Sequence, residues 1–151
     1  MAEPTGEQGI TIVRVLDAPR EAVFRAWTEP ARFADWFGGA GGDVPLDGVS
    51  LDVRPGGAWR ATMYAGPDRL EIPWRGEYRE VAAPERLVFT LTDRPGDAYE
   101  VVTVQLSDLG DGRTEMRFEQ RGGHLTPEQY GEAQAGWLGF FDRMEEGLRA
   151  G

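Results

Sequence analysis

The side chains of this chain that could move a proton are few. Four glutamates, Glu77, Glu100, Glu115 and Glu119, could each act as a general acid or base if the side chain faces an interior. Alternation along the last predicted strand turns Glu115 and Glu119 outward, away from its apolar face. His124 is the only histidine, and it lies in a glycine-rich loop where we expect it to be exposed and without a catalytic role. The acid–base inventory of any interior site is therefore small.

Missing residue types exclude several further chemistries. The chain has no cysteine, so disulfides, thiolate metal sites and cysteine nucleophiles are excluded. All 16 basic residues are arginine, which excludes Schiff-base chemistry and the lysine of a phosphate-binding loop. A single histidine cannot build a multi-histidine metal cluster. We therefore predict that the chain uses no metal and no cofactor.

The charge of the chain excludes other classes of partner. The formal net charge is −10 at pH 7. A field of this sign repels the phosphates of nucleic acids and anionic membrane surfaces, so we predict neither as a partner. The N-terminal residues lack the apolar segment of a secretion signal, and no apolar run approaches the roughly 18 residues of a membrane span. The expectation is a cytoplasmic protein, either a monomer or a homodimer.

The length and the absence of repeats predict one domain over residues 10–150, preceded by a flexible tail of residues 1–9. Residues 10–16 are rich in β-branched side chains and predict a strand. Pro19 and Pro30 each stand at the start of a short predicted helix, where a missing N–H costs nothing. From residue 49 to residue 120, alternating apolar residues separated by short turns predict antiparallel strands. Pro73 lies inside one of these strands and indicates a sheet edge or a bulge.

The C-terminal end of the chain predicts one long amphipathic helix. Thr126, Pro127 and Gln129 form an N-cap, a first-turn proline and a capping box. Rotation by about 100° per residue gathers the apolar side chains into an arc of about 120°. The members of this arc are Tyr130, Ala133, Gln134, Trp137, Phe140, Phe141, Met144 and Leu148. Charged residues fall on the opposite side, so the helix is predicted to lie across the sheet.

A sheet of six or seven strands with one apolar face must be covered, and a helix about 10 Å wide is too narrow to cover it alone. The two short helices can close one end. The remaining space is either filled by large side chains or left as a cavity, and the aromatic side chains of facing elements fit both outcomes. A ligand in such a cavity is predicted to contact twelve residues. They are Trp36, Phe37, Trp59, Met63, Trp74, Phe89, Met116, Phe118, Tyr130, Gln134, Trp137 and Phe141.

Five local strings carry a resemblance to a known family. They are APREAVFRAWT (18–28), ADWFG (34–38), RPGGAWR (54–60), PERLVF (84–89) and GW followed by FFDRMEEGL (136–137 and 140–148). In this order they resemble the homologues of the activator of the heat-shock-protein-90 ATPase (the AHSA type). That family belongs to the START or SRPBCC superfamily, which has the helix-grip fold. The resemblance covers about residues 10–149.

The resemblance implies an α+β fold in which a curved antiparallel sheet of six to seven strands wraps on a long C-terminal helix, with two short helices after the first strand. It also implies a hydrophobic cavity under the long helix, which relatives use for lipids, sterols, aromatic polyketides or hormones. A eukaryotic branch instead stimulates a chaperone ATPase through protein contacts. Relatives often have histidine or threonine near the position of Gln120, so no catalytic role is carried over to this glutamine.

Three functions are compatible with these observations. The first is the binding of a small hydrophobic or aromatic molecule, because aromatic side chains are plentiful and catalytic ones are few. The second is a cyclase- or aromatase-type enzyme acting on a hydrophobic substrate, which requires an acidic side chain or a histidine facing the pocket. The third is a protein-interaction module of the co-chaperone kind, which predicts an exposed apolar patch.

Overall fold

A computed structural model describes residues 9–39, 41–93, 99–122 and 125–150 of the chain. Within these ranges the chain forms eight strands and three α-helices. The strands are β1 (Gly9–Leu16), β2 (Gly42–Asp43), β3 (Val49–Leu51), β4 (Ala58–Ala65), β5 (Leu70–Ala82), β6 (Arg86–Leu91), β7 (Glu100–Gly110) and β8 (Arg113–Arg121). The helices are α1 (Arg20–Thr28), α2 (Pro30–Trp36) and α3 (Pro127–Ala150). His124 and most of the predicted N-terminal tail lie outside the described residues.

The strands form a single curved antiparallel sheet in the order β1-β8-β7-β6-β5-β4-β2, and β3 also pairs with β4. Neighbours in the chain are mostly neighbours in the sheet, and β1 closes the row beside β8. The predicted helix-grip fold is therefore confirmed. The sheet has eight strands rather than six or seven because β2, only two residues long, extends the edge beside β4. So short a strand carries no alternation in sequence from which it could be predicted.

Among the strands that the structure describes, β5 has a paired neighbour on one side only at Pro73. β5 is paired with β4 along Leu70–Glu77, but its pairing with β6 covers only Tyr78–Ala82. Beyond that segment, a single antiparallel bridge joins Arg75 of β5 to Thr92, the residue after β6. Residues 70–74 are thus a local edge of the sheet, and this is the setting in which proline is tolerated. The sequence predicted an edge or a bulge at Pro73, and the described strands show an edge there.

Helix α3 begins with the predicted capping box. The Thr126 backbone N–H donates to Gln129 Oε1 at 2.9 Å, and the Gln129 backbone N–H donates to Thr126 Oγ1 at 3.1 Å. These two bonds satisfy donors that the first helical turn leaves without a partner inside the helix. The helix then packs against α1, α2 and β1. Its starting point is therefore held by local chemistry and its course by contacts with three other elements.

Arg14 ties the edge strand β1 to the outer side of α3. Its guanidinium donates to the carboxylate of Asp142, to Glu145 Oε1 at 2.8 Å and to the backbone carbonyl of Leu138 at 3.4 Å. Partial burial alone would lower the pKa of Arg14, but the hydrogen bonds to Asp142 and Glu145 outweigh it and raise the pKa. Arg14 thus pairs away from the apolar side of the sheet and fixes the second half of the helix.

Candidate functional site

A cavity of about 650 Å³ lies between the first half of α3 and the facing strands β5 to β8. Its floor comes from one end of the sheet, where β6 ends at Leu91 and β7 begins at Glu100. Its roof comes from α3, where Ala133 and Gly136 present almost no side chain to the sheet. Because α3 lacks bulk at these two positions, the space between helix and sheet stays open.

Most of the cavity wall is apolar. Phe37 follows α2 and closes one side, and its ring packs against Phe140 of α3 with centroids 5.3 Å apart. Ile72 and Trp74 reach the cavity from β5, because alternation along the strand places them on the same face. Trp137 lines the roof and is itself 5% exposed. A mostly apolar cavity of this size is typical of small-molecule sites.

A chain of three polar side chains crosses the inner wall. Trp137 Nε1 donates to Gln120 Oε1 at 2.8 Å, and Gln120 Nε2 donates to Glu100 Oε1 at 3.2 Å. The indole N–H can only donate, so Gln120 must turn its carbonyl oxygen to Trp137 and its amino group to Glu100. Gln120 is 3% exposed and Glu100 6% exposed. The helix therefore fixes the orientation of a buried carboxyl group on the sheet.

The mouth of the cavity is polar. Asp93, Tyr99, Gln129 and Glu132 are exposed residues that line the cavity, so they mark the side open to solvent. The acidic groups of the lining are Asp93, Glu100 and Glu132, and no arginine is among the described lining residues. A solute entering this cavity therefore meets carboxyl groups at the mouth and one more within.

Two indole nitrogens, those of Trp27 and Trp74, are buried without a hydrogen-bond partner among the described residues. Trp27 lies in the core, whereas Trp74 lines the cavity. A buried donor without a partner costs free energy, about 1–3 kcal/mol. Trp74 is therefore a donor of the cavity wall whose hydrogen bond no described residue satisfies.

The opposite end of the interior, under α1 and α2, is filled by aromatic rings. Trp27 is the centre of this aromatic cluster, with its ring 4.7 Å from that of Trp36 and 6.3 Å from that of Phe118. Trp36 Nε1 donates to the backbone carbonyl of Ala26 at 2.8 Å, which holds its ring in place. The void beside Trp59 has a volume of only about 10 Å³, no more than one water molecule occupies. The half of the interior under α1 and α2 is therefore filled by side chains, while the half under the start of α3 holds the cavity.

The twelve predicted ligand contacts fall into three groups. Phe37, Trp74 and Trp137 line the cavity. Eight others are buried in the core and lie outside the cavity lining. They are Trp36, Trp59, Met63, Phe89, Met116, Phe118, Tyr130 and Phe141. Gln134 is exposed and lies outside the lining, because it falls on the flank of α3 that carries the exposed Leu138 one turn later.

Sequence reasoning did not place Ile72, Leu91, Gly136 or Phe140 at a ligand, and it left the orientation of Glu100 open. One signal could have decided the orientation of Glu100. It alternates in phase with the buried Val102, Val104 and Leu106 along β7, so its side chain points to the apolar face. The same alternation correctly turned Glu115 and Glu119 away from the core, where Met116 and Phe118 are fully buried.

Chemically, the site offers apolar area, a fixed carboxyl group and few other reactive groups. No group of three or more histidine or acidic side chains in the described part of the chain is arranged to hold a metal ion. Tyr78 on β5 is 3% exposed, and its pKa is raised by burial and, less strongly, by the charge of Asp52. Tyr78 borders the filled half of the interior and not the cavity, so it is not available for acid–base work there.

Comparison with known proteins agrees with this architecture. The family model described as "Activator of Hsp90 ATPase homolog 1-like protein" matches residues 17–149. The chain belongs to this family. The matched segment runs from the end of β1 to the end of α3 and so includes every element that lines the cavity. A comparison with curated protein sequences found no match.

Solved structures of similar proteins have the same fold. A protein from Chromobacterium violaceum is 25% identical, with 93% of this chain and 96% of that chain covered and a TM-score of 0.82. A protein described as AHSA1-like from Aeromonas hydrophila is 28% identical, with 94% and 92% covered and a TM-score of 0.76.

A third similar structure is longer than this chain. DynU16, a protein of the dynemicin biosynthetic locus, is 22% identical with a TM-score of 0.76, and the match covers 94% of this chain but 47% of that one. At this identity the likeness is one of fold alone. In the present chain, by contrast with these similar proteins, the helices can be assessed directly: within the described residues, none is both long and apolar enough to cross a membrane.

Proposed function

We propose that this protein binds a small apolar or aromatic molecule in the cavity between α3 and the sheet. The observation that carries the proposal is the cavity of about 650 Å³ with its mainly apolar wall. Sites for small molecules enclose about 300–1,000 Å³ and combine an apolar lining with a few polar groups. The family belongs to a superfamily whose fold serves ligand binding, which supports the same conclusion.

The driving force is the burial of apolar area against aromatic rings. Each Å² of apolar surface removed from water contributes about 25 cal/mol, before the cost of ordering the ligand. The rings of Phe37, Trp137 and Phe140 are already packed on one another, with centroid distances of 5.3 to 6.0 Å. They lose little freedom when a ligand arrives, so the wall is preorganised for binding.

The test fills the cavity from the helix. Apart from the backbone of α3 itself, no described atom lies within 4 Å of a Cβ placed at Gly136, so a tryptophan there projects into the cavity. We expect Gly136→Trp to weaken the binding of 1-naphthalenemethanol, measured by calorimetry, by about tenfold or more. Gly131→Trp is the matched control, because Gly131 is an exposed glycine of the same helix that does not line the cavity. Equal affinity of both variants would contradict the proposal.

An enzymatic function is the second candidate, and one observation favours it. Glu100 is a buried carboxyl group that lines the cavity, as an acid–base role requires. An enzyme of this kind would exchange the α-protons of a bound bicyclic ketone with solvent. We expect 2-tetralone in deuterium oxide to exchange faster with the wild-type protein than with Glu100→Gln, followed by proton NMR. Equal exchange rates would remove this candidate.

The third candidate, a co-chaperone-like interaction module, has less support. Its requirement is a contiguous exposed apolar patch. The large exposed apolar side chains of the described residues come from six different parts of the chain, and only β1 carries two of them. They are Val13, Val15, Leu46, Leu70, Tyr99, Leu109 and Leu138. Only Val13 and Val15 are two residues apart on one strand, so the described residues give this candidate little support, although the family model carries the name of a chaperone activator.

A further inference from the structure

We infer that the ligand of this cavity is an organic cation: an apolar, ring-containing body that carries one protonated amine, held at the Glu100 carboxylate. The inference rests on the proposed function and adds to it the charge of the ligand. Three observations carry it: the sign of the lining charges, the fixed position of Glu100, and the aromatic faces around it.

The charges of the lining have one sign. Asp93, Glu100 and Glu132 are the charged members of the described lining, and none of the arginines that the structure describes is among them. Residues 94–98, which connect Asp93 to the strand β7, contain one arginine and one aspartate, so their net charge is zero. The chain as a whole carries a net charge of −10. An anionic ligand would approach against this field, whereas a cation is drawn to the mouth.

Glu100 is held where it can receive a cation. It is the innermost of the three acidic groups, 6% exposed, while Asp93 and Glu132 are exposed at the mouth. The bond from Gln120 Nε2, itself fixed by Trp137, defines the position of Glu100 Oε1. A carboxylate has about four acceptor positions, so it can serve several donors at once and still accept from a ligand. A hydrogen bond from a charged donor is also stronger at a buried carboxylate than at an exposed carboxylate.

The aromatic residues of the wall suit the same ligand. Trp74, Trp137, Phe37 and Phe140 surround the space, and Tyr99 stands at the mouth. Aromatic faces attract organic cations through the ring quadrupole, and tryptophan does so most strongly. They also bury the apolar body of the ligand. A carboxylate-bearing molecule of the same shape, such as a fatty or aryl acid, would gain the burial but would meet Glu100 with a like charge.

The test uses three probes of one shape that differ only in the polar group. They are 1-naphthylmethylamine, 1-naphthalenemethanol and 1-naphthylacetic acid, measured by calorimetry at pH 7 with the wild-type protein. We expect the amine to bind about tenfold more tightly than the alcohol, and the acid to bind most weakly. The inference about charge would be overturned if the acid or the alcohol bound as tightly as the amine.

The variant Glu100→Gln then assigns the effect to one residue. We expect it to lower the affinity for the amine until the difference between amine and alcohol disappears. Asp111→Asn is the matched control, because it removes one negative charge from the turn at the opposite end of β7. An equal loss of amine affinity in Asp111→Asn would refute the role of Glu100. Thermal unfolding of each variant shows whether it folds, and the ranking of probes on the wild-type protein stands independently of either variant.

The two proposals fail in different ways. If the alcohol binds and Gly136→Trp weakens it, the cavity is a ligand site, and only the amine–alcohol difference bears on the charge. If none of the three probes binds the wild-type protein, the proposed function is contradicted and the inference about charge falls with it.

Discussion

The indole N–H of Trp137 donates to the side-chain carbonyl of Gln120 at 2.8 Å, across the space between helix and sheet. Both groups are buried, at 5% and 3% exposed. The bond therefore has two effects. It locks the helix α3 to the strand β8 beside the cavity, and it turns the amino group of Gln120 towards Glu100.

Loss of this bond should destabilise the fold. Trp137→Phe leaves the carbonyl oxygen of Gln120 buried without its donor and removes part of a buried ring. We expect the free energy of unfolding to fall by about 2 kcal/mol or more in urea denaturation. In the double mutant with Gln120→Leu the orphaned carbonyl is absent. Its loss of stability should therefore be smaller, by at least about 0.5 kcal/mol, than the sum of the losses in the two single mutants. Strict additivity would show that the bond contributes nothing specific.

Gly136→Ala should stabilise the protein. The position lies inside α3, and a methyl group there meets no atom within 4 Å. Alanine avoids the entropic cost of a helical glycine, so we expect a gain of up to about 1 kcal/mol in the free energy of unfolding. Thermal unfolding followed by circular dichroism measures it, and a lowered midpoint would mean that the helix tolerates no side chain at this point.

Gly76→Ala should have the opposite result. A methyl group at Gly76 would overlap the carbonyl oxygen of Thr90, which accepts the indole N–H of Trp59 at 2.9 Å. Neither the backbone of β6 nor the buried Trp59 can move away without breaking that bond. We expect a loss of about 3 kcal/mol or more, or failure to fold, in the same denaturation experiment. A variant as stable as wild type would contradict the close approach of β5 and β6.

Stability should fall at high pH through Tyr78. Burial raises the pKa of Tyr78 in the folded state, so above pH 10 the unfolded chain loses the phenolic proton while the folded chain keeps it. The folded state then binds more protons, and stability declines by up to about 1.4 kcal/mol per pH unit from this group. Tyr78→Phe should flatten that decline in urea titrations between about pH 9 and 11. Identical slopes in both proteins would exclude Tyr78 as the cause.

The helix cap should contribute a measurable share of stability. Thr126→Ala removes the acceptor for the Gln129 N–H, and we expect a loss of about 1 kcal/mol in the free energy of unfolding. Thr126→Ser keeps the hydroxyl group and is the control, with little change expected. If both variants lose the same amount, the effect comes from the lost methyl group and not from the hydrogen bond.

Local signals made most of the fold predictable. Trp59, Ala61 and Met63 alternate along β4, which is one of the strands predicted between residues 49 and 120, and the capping box at Thr126 predicted the start of α3. These signals are carried by neighbours in the chain, so no knowledge of distant contacts is needed to interpret them. The resemblance of five strings then supplied the topology.

The cavity itself could not be predicted in the same way. Trp36 and Phe37 are adjacent aromatic residues, yet one is locked in the core by the carbonyl of Ala26 and the other lines the cavity. Which half of the interior stays open depends on how α1 and α2 pack under the sheet, and this is a long-range property. Gln134 lies outside the cavity lining because the rotation angle of a helix gives an apolar arc but does not say which flank of that arc the sheet covers.

The central claim is that the space beside Trp137 and Trp74 takes up an apolar molecule. The protein has five tryptophans, and each indole N–H gives its own signal in a proton–nitrogen NMR spectrum. Single tryptophan-to-phenylalanine variants assign the signals, and 1-naphthalenemethanol is then titrated into the wild-type protein. We predict that the signals of Trp74 and Trp137 shift most, while those of Trp27, Trp36 and Trp59 change little. Unchanged signals at saturating probe, or the largest shifts at the three core tryptophans, would contradict the claim.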